Sequence, residues 1–213
     1  MLKDHPIFLE SLGFIQSKLE PHKFNNLEVK VLERLIHASG DFKIKDLLIF
    51  SNNACEIGLK ACKSGAPILT DTEMASAAVK KMAQQTQGNL VTSIQQWIDP
   101  NKQYDSTASA YGIEKAWKEL SSKYFEDKSP IVLIGSAPTA LEKLLDIVKD
   151  NNRPSLIIGM PVGFIGVEQA KERLIKSNLN YIIVRSTRGG ASMAAASINA
   201  LLRASIQSKQ HSY

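Results

Sequence analysis

His37, in the run Leu35-Ile36-His37-Ala38-Ser39-Gly40-Asp41-Phe42, stands where an apolar segment ends, with a glycine three residues on and a carboxylate four on. Upstream, Leu27, Val31, Leu32, Leu35 and Ile36 share one face of a 3.6-residue period. Asn26 is placed to cap its start and Gly40 to end it, which predicts His37 in the last turn of a helix. The carboxyl end of a helix carries partial negative charge and favours imidazolium over neutral imidazole. Asp41 acts in the same sense if the chain folds back toward the ring. Such a histidine suits proton donation better than metal binding, which needs the neutral ring. Position alone leaves a surface or capping role open beside the catalytic one.

Two glycine-containing loops offer anion-binding chemistry. Gly135-Ser136-Ala137-Pro138-Thr139 follows an apolar strand and opens a helix, with Pro138 suited to the first helical turn. Backbone N–H groups exposed there would hold carboxylate or phosphate oxygens. Thr187-Arg188-Gly189-Gly190-Ala191-Ser192 does the same and adds a guanidinium, a bidentate fork for a carboxylate. Tight strand-to-helix turning alone would also explain these glycines. A nucleotide is the competing ligand, although Gly159-Met160-Pro161-Val162-Gly163-Phe164-Ile165-Gly166 has neither the GxGxxG nor the GxxxxGK[ST] spacing.

The elements that must position these residues are legible as alternation. Pro67–Thr70, Leu90–Ile94, Ile131–Gly135, Ser155–Gly159 and Tyr181–Val184 read as short, nearly continuous apolar strands, which suits a parallel sheet covered on both faces. Helical patterns fall at roughly 72–84, 106–122, 138–150, 167–177 and 190–207. The fold class is therefore α/β: a doubly wound, mainly parallel sheet flanked by helices, flavodoxin-like, with an N-terminal helical segment over the first 60 residues. Ligands of such sheets bind at the carboxyl ends of the strands. The alanine-rich stretch Ala191–Ser197 reads as close helix packing.

A length of 213 residues fits one domain spanning 1–213. A composition 44% hydrophobic and 22% charged is that of an ordinary soluble protein. No apolar run approaches the roughly 18 residues of a membrane span and Met1–Pro6 lacks a signal-peptide core, so the expected location is cytoplasmic. Cys55 and Cys62, two turns apart in a helical pattern, cannot pair within that helix and are expected as buried thiols. No Cys/His cluster offers a metal site, and His5, His22 and His211 are dispersed. The net charge of +5 suits an anionic partner, but the lysines are scattered and form no nucleic-acid stripe, leaving a small polycarboxylate or no special partner. The tail Ser205–Tyr213 is polar enough to fray, and Asp150-Asn151-Asn152-Arg153-Pro154 reads as a turn.

The segment Glu33–Phe42 resembles the signature of the precorrin-8X methylmutase family of cobalamin biosynthesis. Five further stretches match that family in order: His5-Pro6-Ile7 with Ser11, Gly65–Asp71 with Met74, Gly135–Leu141, Gly159–Gly166, and Arg188–Ser192 followed by a helix to Leu201. The resemblance implies an isomerase that moves a methyl group from C-11 to C-12 of precorrin-8X or cobalt-precorrin-8. The product is hydrogenobyrinic acid or cobyrinic acid, its cobalt form. The shift is intramolecular, so no cofactor is implied. The expected partner is a tetrapyrrole polycarboxylate, with no nucleic acid and no membrane, and the family's homodimeric state is expected here. By resemblance His37 is the catalytic acid and Ser11, Arg34, Thr139, Arg188, Gly189 and Gly190 bind substrate. Arg34, three residues before His37, shares its helix face.

Two departures from the family pattern concern recognition. Ala108 stands where relatives carry arginine, so that carboxylate contact is either absent or supplied by Lys102 or Lys115, and Ser136 stands where asparagine is usual. The other readings are a corrinoid carrier without catalysis, which has no need of His37, and a nucleotide-binding α/β protein.

Overall fold

A computed structural model describes residues 5–149 and 152–207. The leader reading of Met1–Asp4, the turn residues Asp150 and Asn151, and the tail from residue 208, His211 included, fall outside the described residues.

The chain opens with two helices, α1 (Pro6–Leu19) and α2 (Asn26–Ser39). Pro6 occupies the first turn of α1, and His5 caps it by accepting the Ile7 N–H. Asn25, not Asn26, caps α2. Its side chain accepts from the Leu27 and Glu28 N–H groups while the Glu28 carboxylate accepts from the Asn25 N–H, and this reciprocal pair sets the start one residue earlier than expected. Gly40, at φ 67°, closes α2 in the left-handed conformation that a glycine tolerates best.

A short helix, α3 (Ile44–Leu47), leads directly into β1 (Leu48–Phe50). There follow α4 (Ala54–Lys63), β2 (Ile68–Thr70), α5 (Glu73–Ala83), β3 (Val91–Ser93) and α6 (Ala108–Lys123). The rest of the chain alternates β4 (Ile131–Ile134), α7 (Pro138–Ile147), β5 (Leu156–Gly159), α8 (Val167–Ile175), β6 (Tyr181–Val184) and α9 (Ala191–Gln207). Helix α7 stops at Ile147, short of the expected 150, because Val148 turns to extended backbone.

The strands form one sheet in the order β1-β6-β5-β4-β2-β3, parallel throughout except at β1. β1 corrects the expectation of helices alone in the first 60 residues. It pairs antiparallel with β6, Leu48 opposite Val184, and forms the sheet edge. Three apolar residues carry too little periodicity to separate strand from helix.

Alternate side chains along each strand face opposite layers. Ile131, Leu133, Ile158, Ile182 and Val184 join the layer of α2, α4, α5 and α9. Val132, Ile134, Ile157 and Ile183 join that of α6, α7 and α8. Cys55 and Cys62 are buried free thiols on α4, and burial raises both pKa values, that of Cys62 to about 12. No helix among the described residues is long and apolar enough to cross a membrane.

Candidate functional site

His37 sits in the last turn of α2 with its side chain exposed, and α1 holds the imidazole at two points one helical turn apart. Ser11 Oγ is 3.0 Å from His37 Nδ1, and the Phe8 ring meets the imidazole at 89° with centroids 5.3 Å apart. The contact engages Nδ1 and leaves Nε2 as the ring nitrogen not used by Ser11. Arg34, one turn back on α2, lies 5.0 Å over the Phe8 ring. Its sequence neighbour Glu33 is buried and accepts from the Gln16 side-chain amide at 2.8 Å, which turns that carboxylate to the α1 interface. Phe8 escaped the sequence reading, although its i,i+3 spacing from Ser11 on a helix was the available signal.

Asp41 does not fold back to the imidazole. Its carboxylate pairs with Arg188 and accepts the Lys43 N–H at 2.9 Å. The condition on Asp41 is thus not met, because a guanidinium on the β6–α9 loop reaches it, and the pair ties that loop to the end of α2. Beneath the loop lies Lys171, an internal cation the sequence reading also missed. It is buried, and its ammonium donates to the carbonyls of Ser186 at 2.8 Å and Arg188 at 2.5 Å. Burial lowers its pKa to about 8. The signal was a lysine in the apolar i, i+3, i+4, i+7 set of Val167, Ala170, Lys171 and Leu174.

Gly189 is fixed by close packing and Gly190 by its backbone, which takes φ 128°. A Cβ on Gly189 would stand 2.1 Å from the Met160 carbonyl oxygen, and the Gly190 N–H donates to that same oxygen at 2.9 Å. The two loops that leave β5 and β6 are thereby packed backbone to backbone, with Arg188 at their rim.

The Gly135–Thr139 loop departs from expectation. Its N–H groups are not turned to a ligand. Those of Gly135, Ser136 and Ala137 donate at 2.9, 2.6 and 3.0 Å to the carboxylate of Asp71, a buried residue just beyond β2. The anion site exists and the protein fills it. Burial raises the Asp71 pKa against the pull of the three donors.

Thr139 is exposed on α7, its hydroxyl 2.7 Å from that of Thr107, the residue that caps α6. It belongs to the layer opposite His37. Lys102 and Lys115 converge there on Tyr111, 5.2 and 5.3 Å from its ring centroid, near Ala108 at the start of α6. The structure thus gathers Ser11, Arg34 and His37, links Arg188 to them through Asp41, and leaves Thr139 apart.

Comparison with known proteins identifies the family. The family model described as precorrin-8X methylmutase matches residues 6–204. A cobalt-precorrin-8 methylmutase of Priestia megaterium is 30% identical, covering 90% of this chain and 84% of its own. A precorrin-8X methylmutase of Pseudomonas aeruginosa is 36% identical, covering 81% and 82% respectively. The crystal structure of the precorrin-8X methylmutase from Thermus thermophilus superposes with a TM-score of 0.83 at 32% identity, covering 95% of this chain and 96% of the other. With a family model across nearly its whole length and relatives similar over most of theirs, the chain belongs to the precorrin-8X methylmutase family.

Proposed function

We propose that this protein moves a methyl group from C-11 to C-12 of precorrin-8X or cobalt-precorrin-8, with His37 as the proton donor. The single observation that carries the site assignment is the contact of Ser11 with His37 Nδ1, which leaves Nε2 as the nitrogen on the outward side. The reaction is an isomerisation. The bond from the methyl carbon to C-11 breaks, the bond to C-12 forms, and a proton exchanged with Nε2 selects the tautomer from which migration proceeds. Atoms balance without an added reactant. Ser11 acts by fixing the ring, Arg34 by meeting a peripheral carboxylate, and Arg188, with Gly189 and Gly190 shaping its loop, by closing the rim through Asp41. Thr139, whose hydroxyl lies against that of Thr107, remains a substrate contact only on the family resemblance.

The wider reading is of one domain acting as a cytoplasmic homodimer. The parallel strands, taken β3-β2-β4-β5-β6, run in flavodoxin-like order, with α1 and α2 as the added N-terminal segment. Phe164 and Ile165, 90% and 89% exposed on the β5–α8 loop, support a second copy as their cover.

The test is incubation of the purified protein with precorrin-8X and, separately, cobalt-precorrin-8, followed by visible absorption. Conversion to a spectrum matching hydrogenobyrinic or cobyrinic acid is expected. Binding without conversion would make the protein a carrier, and the absence of any spectral change with either compound would defeat the reading.

A further inference from the structure

Lys171 on α8 is 1% exposed, and no step of the proposed rearrangement uses it. An ammonium taken out of water is costly unless hydrogen bonds replace its hydration. An apolar side chain would fill the same place on the face of Val167, Ala170 and Leu174 without that cost. What the charge does there follows from where it donates. It holds two main-chain carbonyls of the β6–α9 loop, those of Ser186 at 2.8 Å and Arg188 at 2.5 Å, two residues apart and turned to one ammonium.

The loop does not take this course by intrinsic preference. Ser186 stands at φ 67°, in the left-handed region that a non-glycine residue occupies when its surroundings impose it. The carbonyl between the two, that of Thr187, accepts from the Gly163 N–H at 3.3 Å, so three consecutive carbonyls are committed to α8 and the β5–α8 loop. The ends are anchored separately: the Arg185 N–H donates to the Leu47 carbonyl at 2.8 Å and the Gly190 N–H to that of Met160 at 2.9 Å. Between these anchors Lys171 supplies two of the three donors that fix the backbone from which the Arg188 side chain reaches Asp41 at the end of α2.

We infer that Lys171 is a positioning residue for the proposed reaction: its ammonium fixes the backbone of residues 186–188 and so sets the Arg188 guanidinium at the rim of the substrate site. It touches no substrate and acts through Arg188. The inference rests on the methylmutase reading and on Arg188 as a binding residue within it. It assigns α8, which lies in the layer opposite α2, a part in shaping the His37 side of the molecule.

The experiment compares wild type, Lys171→Met, Arg188→Gln and the double variant, each shown to be folded by circular dichroism. It measures Kd for hydrogenobyrinic acid by visible absorption, and kcat and KM with whichever of precorrin-8X and cobalt-precorrin-8 is turned over. Arg188→Gln is expected to raise Kd about tenfold and Lys171→Met about fivefold, with KM rising alongside and kcat holding within about twofold, since a binding contact is what is lost. The double variant is expected to match Arg188→Gln, because a residue that works through the guanidinium adds no loss once that group is gone. A fall in stability alone would leave the affinity of the folded protein where it was. An unchanged Kd in Lys171→Met, an unchanged Kd in Arg188→Gln, or a double variant whose losses multiply overturns the inference. The last result is what a direct long-range attraction between the buried charge and an anionic ligand would give. Lys171→Gln takes the place of Lys171→Met, with the same expectations, if the latter does not fold. A wild type that neither binds hydrogenobyrinic acid nor converts either substrate defeats the methylmutase reading itself, a result separable from these.

Discussion

The loop from β4 into α7 and the corner around His37 both combine strand-end or helix-end geometry with anion-binding groups, yet they are used in opposite ways. At the loop, three N–H donors close on Asp71 from the neighbouring strand, and the site is buried and complete within the chain. At the corner, the imidazole is held from behind by Ser11 and Phe8 and its outer side is exposed. Backbone donors at a strand end are built into the sheet and readily serve the fold. Side chains on helices laid over it can be aimed outward. The proposed site accordingly draws on side chains of α1 and α2, while the glycine turn acts as a clasp between β2 and α7.

The largest effect should come from removing the exposed acid. His37→Ala is expected to lower kcat by about 10²–10⁴-fold, the usual contribution of a positioned proton donor. The Kd for hydrogenobyrinic acid should stay within about tenfold, roughly 1.4 kcal/mol. Stopped-flow absorption on the substrate and equilibrium titration with the product would measure the two. Turnover retained in this variant would erase the distinction between the corner and the clasp.

Asp71→Ala attacks the other side of the comparison. Three donors would lose their acceptor in a buried position, and the expected destabilisation is about 3 kcal/mol, read by urea unfolding. Product affinity, measured on the fraction that folds, should be nearly unchanged. A loss of binding as large as the loss of stability would mean that the loop serves the ligand after all.

The same contrast explains what was legible in the sequence. Parallel strands such as Ile131–Ile134 and Tyr181–Val184 announced themselves because both faces are buried and the apolar run is unbroken. His37 was placed correctly in the last turn because Gly40 ends the helix. The clasp was misread because nothing local says whether a helix N-terminus meets a ligand or a carboxylate 64 residues upstream in the same chain. The role of Asp41 stayed conditional for the same reason, its partner Arg188 lying 147 residues away. Phe8 and Lys171 each carried a signal in helical spacing. Their partners depend on how α1 and α2 pack and on where the β6–α9 loop lands, which periodicity does not encode.

Lys171 links the two regimes, since it is buried like Asp71 but supports the loop that bears Arg188. Its pKa in the fold, about 8, lies below the ordinary lysine value, so between pH 8 and about 10.5 the unfolded chain binds more protons than the folded one. Stability contributed by this residue therefore rises with pH across that window. Wild type should gain about 2 kcal/mol over Lys171→Met between pH 8 and pH 10, as measured by urea unfolding of both proteins. A constant difference would show that the ammonium is solvated and the loop is carried by other contacts.

The smallest and most discriminating change is Ser11→Ala. If the hydroxyl serves the imidazole, its loss frees the ring to rotate and to exchange tautomers, so Nε2 presents its proton for a smaller fraction of the time. That predicts a fall in kcat of about tenfold, equivalent to about 1.4 kcal/mol, with KM nearly unchanged. If Ser11 instead touches the substrate directly and equally in ground and transition states, KM rises and kcat holds. The 3.0 Å contact with Nδ1 favours the first pattern. Combining Ser11→Ala with His37→Ala sharpens the distinction, because a hydroxyl that works only through the imidazole adds no further loss once that ring is gone. An additive double variant would move Ser11 from the support of the acid to the surface that meets the macrocycle.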